Sequence, residues 1–174
     1  MRIILALGAL AIIGLSGCVE DPYGYGYGPG PAYGGGSYGG GYEAPDPSAR
    51  ANYGEEYLEA GFDDDPRSVM VMSGGELDAA SLGEGCVGMV SAAPDFQLTY
   101  EAGDFPLTFG VSADTDATLV VNAPDGRWHC DDDSGGGTDP EISFRRPQPG
   151  VYDIWVGAYA GEGGQAELFI TERN

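Results

Sequence analysis

Phe96-Gln97-Leu98-Thr99-Tyr100-Glu101-Ala102-Gly103-Asp104, running on through Phe105-Pro106 into Leu107-Thr108-Phe109-Gly110-Val111-Ser112, sets the fold class of this chain. Phe96, Leu98 and Tyr100 alternate with Gln97 and Thr99; Leu107, Phe109 and Val111 alternate with Thr108, Gly110 and Ser112. Apolar residues at period two mark strands with one face in a core, and Ala102-Gly103-Asp104 between the runs is turn chemistry. Working outward, Val69 and Val71 alternate with Met70 and Met72. Further short strands are expected at Cys86–Ser91, Thr118–Asn122, Glu141–Phe144, Val151–Ala158 and Gln165–Thr171. Turns are expected at Ala93-Pro94-Asp95, Pro124-Asp125-Gly126, Pro149-Gly150 and Gly161-Glu162-Gly163-Gly164.

No segment holds a helical period. About seven or eight strands in about 108 residues predict an all-β chain, a small antiparallel β-sandwich or jelly roll spanning 67–174. The last hairpin is expected to turn at Gly161–Gly164, pairing the C-terminal strand with Val151–Ala158. Val69, Val71, Phe96, Leu98, Leu107, Phe109, Val111, Leu119, Val121, Ile142, Phe144, Ile154, Val156, Leu168 and Ile170 are expected inside. Trp128 and Trp155 fit either cover for a sheet edge or a ligand contact.

Upstream, the composition changes. Tyr23 to Tyr42 alternates tyrosine with glycine and proline and lacks the aliphatic residues needed to offset the entropy of ordering so much glycine. Residues 18–66 are therefore expected to be a disordered, acidic linker; as a coil of about 48 residues it would hold a domain about 40 Å from its origin. A plain spacer and a source of weak aromatic contacts to glycans or to other copies both fit such a run. Tyr57-Leu58 and Phe62 are expected to dock loosely on the domain.

The chain begins with Arg2, then an apolar run from Ile3 to Leu15, then Ser16-Gly17-Cys18. That is the layout of an export signal at 1–17, too short for a stable membrane-spanning helix. Leu15-Ser16-Gly17-Cys18 resembles the lipobox of bacterial lipoproteins. The resemblance implies cleavage before Cys18, a thioether-linked diacylglycerol on its sulfur and a third acyl chain, such as palmitate, on its amino group. Several chains hold firmly because each buried methylene adds about 0.8 kcal/mol. Val19 stands where an aspartate would signal inner-membrane retention, which implies the outer membrane in a diderm cell.

Seven arginines, no lysine and 28 acidic residues give a formal net charge of −21. Nucleic acid is excluded as a natural partner, because binding it requires cations to replace its condensed counterions. Adhesion to anionic headgroups is disfavoured for the same reason. With Cys18 assigned to lipid, Cys86 and Cys130 form an even pair. Two readings stand: a disulfide in an exported chain, worth about 4 kcal/mol for a loop of roughly 44 residues, or two buried thiols.

Phe105-Pro106-Leu107-Thr108-Phe109, Asp114-Thr115-Asp116-Ala117-Thr118-Leu119-Val120-Val121, Pro124-Asp125-Gly126-Arg127-Trp128, Cys130-Asp131-Asp132-Asp133 and Gly150-Val151-Tyr152-Asp153-Ile154-Trp155-Val156-Gly157 follow in order. This succession resembles the bacterial pre-peptidase C-terminal (PPC) domain, over roughly Val69 to Glu172. The resemblance implies a small β-sandwich without catalysis that assists secretion, attachment to substrate or stability.

Two clusters bear chemistry. Asp131-Asp132-Asp133, with Asp125 one turn earlier and Asp114 and Asp116 one hairpin earlier, would make a calcium site if the loops converge. Calcium takes six to eight oxygens, and the glycines at 135–137 would let carbonyls turn inward. Related modules in secreted collagenases bind calcium. A solvated acidic loop reads equally from the residues, and EF-hand spacing is missing. Asp133-Ser134-Gly135-Gly136 copies part of the nucleophile loop of trypsin-like serine peptidases, and His129 is the only histidine. A strand histidine beside a disulfide is the competing reading. The expectation is a non-catalytic, lipid-anchored envelope module, possessing a β-sandwich on a tether and partnered by envelope proteins or glycans. A serine peptidase using Ser134 and His129 is the alternative.

Overall fold

A computed structural model describes residues 44–173. The leader expected at 1–17, Cys18 and the Tyr/Gly-rich run at 23–42 lie outside the described residues. The described part is an all-β sandwich of two sheets; its helical content is a short 3₁₀ turn at Ala79–Leu82.

The first sheet has seven strands. They are β1 (Glu55–Glu59), β3 (Leu77–Asp78), β4 (Met89–Val90), β5 (Phe96–Glu101), β7 (Ala117–Asn122), β8 (Trp128–Asp131) and β10 (Gly150–Ala158). Strand β10 is its axis. β5 and then β4 pair along one edge of β10, and β7 takes the other edge with β8 beyond it. The second sheet runs β2 (Arg67–Met72), β11 (Gln165–Thr171), β6 (Leu107–Ala113), β9 (Glu141–Phe144).

The two inner faces meet as the alternation predicts. Of the fifteen residues expected inside, Val69 and Phe144 are half-buried and pack against the core; the others are buried. Leu58, Tyr100 and Tyr152 join them. Outside, Phe169 of β11 lies across Gly110 of β6, where a Cβ would meet its ring at 2.1 Å. An aromatic ring there covers a backbone that glycine leaves bare.

The first sheet also buries its other face. Val120 and Trp155 point away from the sandwich and pack with Ala79, Val90 and Cys86. Strand β3 and the 3₁₀ turn form this cover; Asp78 caps the turn by accepting from Ala80 N at 2.9 Å. Cys86 and Cys130 are joined in a disulfide, which ties the cover to β8. Trp155 Nε1 is buried here without an acceptor among the described residues. That cost is outweighed by the area the indole removes from water.

Four expectations are corrected. Gly161–Gly164 does not turn a hairpin: β10 and β11 lie in different sheets, and this segment crosses between them. Both edges of β10 are already taken by other strands. The glycines serve close approach instead, since a Cβ on Gly163 would meet the Ser73 carbonyl oxygen at 1.8 Å. Second, the strand expected at Cys86–Ser91 shrinks to Met89–Val90, with Cys86 in the loop before it. Third, β1, β3 and β8 are additional strands. Fourth, residues 44–66, expected in the linker, belong to the described fold.

That earlier segment is fixed by backbone pairing. Asp46 N donates to Ala92 O, and Asn52 N to Pro94 O, each at 2.8 Å. β1 then pairs in parallel with β5 and seats Leu58 in the core. Glu172 closes the arrangement, accepting from Gly61 N at 2.8 Å and from the Tyr100 hydroxyl. Asp95 sits beneath the segment, 1% exposed. Its carboxylate accepts from Val156 N at 2.8 Å and from Asn52 Nδ2 at 3.3 Å, and Ser91 Oγ lies at 3.3 Å. Burial pushes the Asp95 carboxyl up to about 6, against the lowering effect of these bonds.

Two outcomes follow from this packing. Reducing the disulfide, or replacing both cysteines by serine, is expected to lower stability by up to about 4 kcal/mol. It should also red-shift tryptophan emission as the cover leaves Trp155; unchanged emission would show the cover holding without the bridge. For Asp95, a raised folded-state value means the native protein holds the proton more tightly than the unfolded chain. Its contribution to stability is full below pH 4 and fades as pH rises through about 6. Asp95→Asn should therefore gain roughly 3 kcal/mol over the parent well above pH 6 and nothing in acid, read from melts across pH.

Candidate functional site

The acidic loop after β8 is built around one carboxylate. Asp131 Oδ2 accepts from Ser134 N at 2.9 Å and from Glu141 N at 2.8 Å, while Oδ1 accepts from Ser134 Oγ at 2.6 Å. These bonds tie the end of β8 to the start of β9. Within the loop, Gly135 N donates to Asp139 O and Asp139 N to Gly136 O, so of the glycine carbonyls expected to face a metal that of Gly136 is used internally. Asp139 Oδ1 accepts from Ala113 N at 3.2 Å.

The six aspartates expected to hold calcium are not brought together. Asp125 lies in the β7–β8 turn, beyond the far end of β7 from Asp116. Six residues of extended strand separate the ends by about 20 Å. There Asp125 Oδ1 accepts from Arg127 N at 3.1 Å, and Oδ2 pairs with Arg127 Nε at 3.6 Å. Asp114 is exposed. Asp116 and Asp133 stand close enough to Asp132 for their charges to act on it; partial burial first, then Asp133, Asp131 and Asp116, push its carboxyl up. With Asp131 engaged by three donors, this arrangement does not fit a calcium site. Among the described residues, no group of three or more His, Cys, Asp or Glu is placed to hold a metal ion.

Ser134 and His129 are likewise apart in role. The Ser134 hydroxyl donates to Asp131, whereas the His129 ring packs edge-on against Phe144 at 4.9 Å. Cys130, the residue between His129 and Asp131, faces the opposite side of the sheet in its disulfide.

His129 instead lines a cleft. β8 and β9 are the outer strands of the two sheets on the same side of the sandwich, and they lie in different sheets with no backbone ladder between them. Between them a cleft of about 190 Å³ opens, bounded by Asp125, His129, Phe144, Arg146, Gln148 and Tyr152, with Ala123 and Pro124 at one end. Phe144 meets Tyr152 at 5.4 Å and 67°, and Phe109 backs both rings from the core. Tyr152 pins the β9–β10 connection: its hydroxyl donates to Gln148 O at 2.8 Å and accepts from Gln148 N at 3.0 Å. Burial pushes this phenol up to about 12; the Gln148 backbone bond opposes that, and the Asp125 charge adds to it.

Sequence reasoning singled out His129 and Asp125 for other chemistry and passed over Arg146, Gln148 and Tyr152. A signal existed, for Arg145-Arg146 is the one pair of adjacent basic residues in a chain without lysine. No family model matches this chain, and it matches no curated protein.

Asp131→Ala should free the β8–β9 loop, costing about 1–2 kcal/mol and opening the chain at Gly135–Gly137 to proteases. Ser134→Ala removes one of the three bonds and should have a smaller effect on both readings. Equal resistance of parent and Asp131→Ala to limited proteolysis would contradict this account of the loop.

Proposed function

We propose that this chain is a non-catalytic binding and structural module of the cell envelope, held by lipid on Cys18 and resembling a PPC domain. The observation that carries the reading is the Cys86–Cys130 bridge, which closes 44 residues of a small domain behind an export-type leader. Disulfides of this kind persist in oxidising compartments outside the cytosol. The polar chemistry of the sandwich supports the non-catalytic part. Asp131, Ser134, Asp95 and Glu172 are each engaged in bonds that hold chain segments together.

Membrane attachment rests on the Leu15-Ser16-Gly17-Cys18 lipobox resemblance. No helix among the described residues is long and apolar enough to cross a membrane. A linker of tyrosine, glycine and proline between anchor and sandwich would let the domain reach partners such as envelope proteins or glycans.

Intact mass spectrometry of protein extracted from membranes checks this directly. The expected species begins at Cys18 and carries a diacylglyceryl group plus an amide-linked acyl chain. A free Cys18 thiol, or a retained leader, would overturn the anchor.

A further inference from the structure

The cleft between β8 and β9 combines features that the acidic surface around it lacks. Its accessible wall is aromatic, formed by Phe144 with the His129 ring standing edge-on, and the buried Tyr152 ring packs behind Phe144. At its mouth is Arg146. Among the described residues, Arg67, Arg127 and Arg173 are held in ion pairs; Arg50, Arg145 and Arg146 are in none, and of these three Arg146 lines the cleft. Asp125, the one carboxylate lining the cleft, is already paired with Arg127. The local balance is therefore cationic on a chain of net charge −21. A positive spot of this kind selects an anion, and a guanidinium presents a planar fork matched to a carboxylate.

Size and polarity narrow the anion further. About 190 Å³ is well below the roughly 300–1,000 Å³ of pockets for drug-sized ligands, so one ring-sized group fits. The polar lining is mixed. Asp125 accepts, Arg146 donates, and the Gln148 side chain does both. Hydroxyl groups, each a donor and an acceptor, match such a set better than a purely apolar side chain does. An aromatic wall suits the C–H face of a pyranose. A long polyanion is disfavoured, because the surrounding carboxylates repel every charge beyond the first.

We infer that this cleft binds a single sugar-acid residue, a uronic acid, with its carboxylate on Arg146 and its ring face against Phe144. The inference rests on the reading of the sandwich as a binding module and not on the lipid anchor.

Saturation-transfer NMR on the full-length protein in detergent, with methyl β-glucuronide as probe, tests it. Methyl β-glucoside, acetate and N-acetylphenylalanine serve as comparators. Glucuronide should bind at least about tenfold more tightly than glucoside, and Arg146→Ala should weaken it by about 10- to 100-fold, as for a charge-assisted hydrogen bond. Near-UV circular dichroism confirms that the variant is folded, and Gln148→Ala supplies a second variant with a smaller expected loss. Equal affinity for glucoside or acetate would overturn the proposal. So would preference for N-acetylphenylalanine, which marks a peptide-carboxylate site, or binding that Arg146→Ala leaves unchanged. Absence of glucuronide binding also overturns it while leaving the lipid on Cys18 to stand, and an unlipidated Cys18 leaves the cleft result untouched.

Discussion

From Tyr152 to Ala158, strand β10 has no exposed residue, and the rest of the molecule is arranged to make that possible. A strand buried on both faces needs two covers, and a strand at the axis of a sheet needs both edges paired. The second sheet supplies one cover through Ile154 and Val156. The disulfide-tied segment supplies the other over Trp155. Strands β4 and β5 divide one edge of β10 while β7 fills the other, which is why β7 too is buried along its whole length. The bridge at Cys86–Cys130 matters in this light less as a generic staple than as the fastening of the thinner cover. That cover consists of a two-residue strand and one 3₁₀ turn, too little apolar area to hold itself in place.

The same demand leaves the open side of the sandwich as the place for a ligand. Strands β8 and β9 end their sheets without a partner on that side, and unpaired edges are normally covered or blunted. Here the edge is blunted by irregular chain. The Asp131 loop crosses between the strands at one end, and the Pro147–Pro149 connection, pinned by Tyr152, closes the other. What lies between is concave, because the two edges diverge around the Phe144 and His129 rings. The cleft is thus a by-product of closing a sandwich with loops instead of a further strand, lined by whichever side chains those loops bring.

How much of this the sequence discloses depends on the range of the interaction. Period-two alternation is local, so Phe96, Leu98, Leu107, Phe109, Leu119 and Ile170 are legible as core from their neighbours alone. Val120 and Trp155 are buried by a segment 30 or more residues away along the chain, and no local pattern announces that. Strand β1 is hidden for a similar reason: Glu55–Glu59 is too acidic to read as a strand, and only pairing with β5 makes it one. The Gly161–Gly164 run shows the opposite failure. A local rule says hairpin, but glycine has two uses, a sharp turn and a close approach, and the second depends on Ser73 lying across from it.

Acidity obscured function in a comparable way. With 28 carboxylates in the chain, proximity in sequence to another aspartate carries little information, and the structure sorts the residues by what each accepts. Asp131 organises a loop, Asp139 and Asp78 satisfy backbone donors, Asp125 holds a turn and its arginine, and Glu172 joins Gly61 to Tyr100. Each is a local acceptor in a chain that lacks lysine to supply long, flexible counter-charges. On such a surface rarity, not density, marks a site of interaction. Of the three guanidiniums without an ion-pair partner among the described residues, Arg146 is the one set in the cleft beside the chain's one histidine and Phe144.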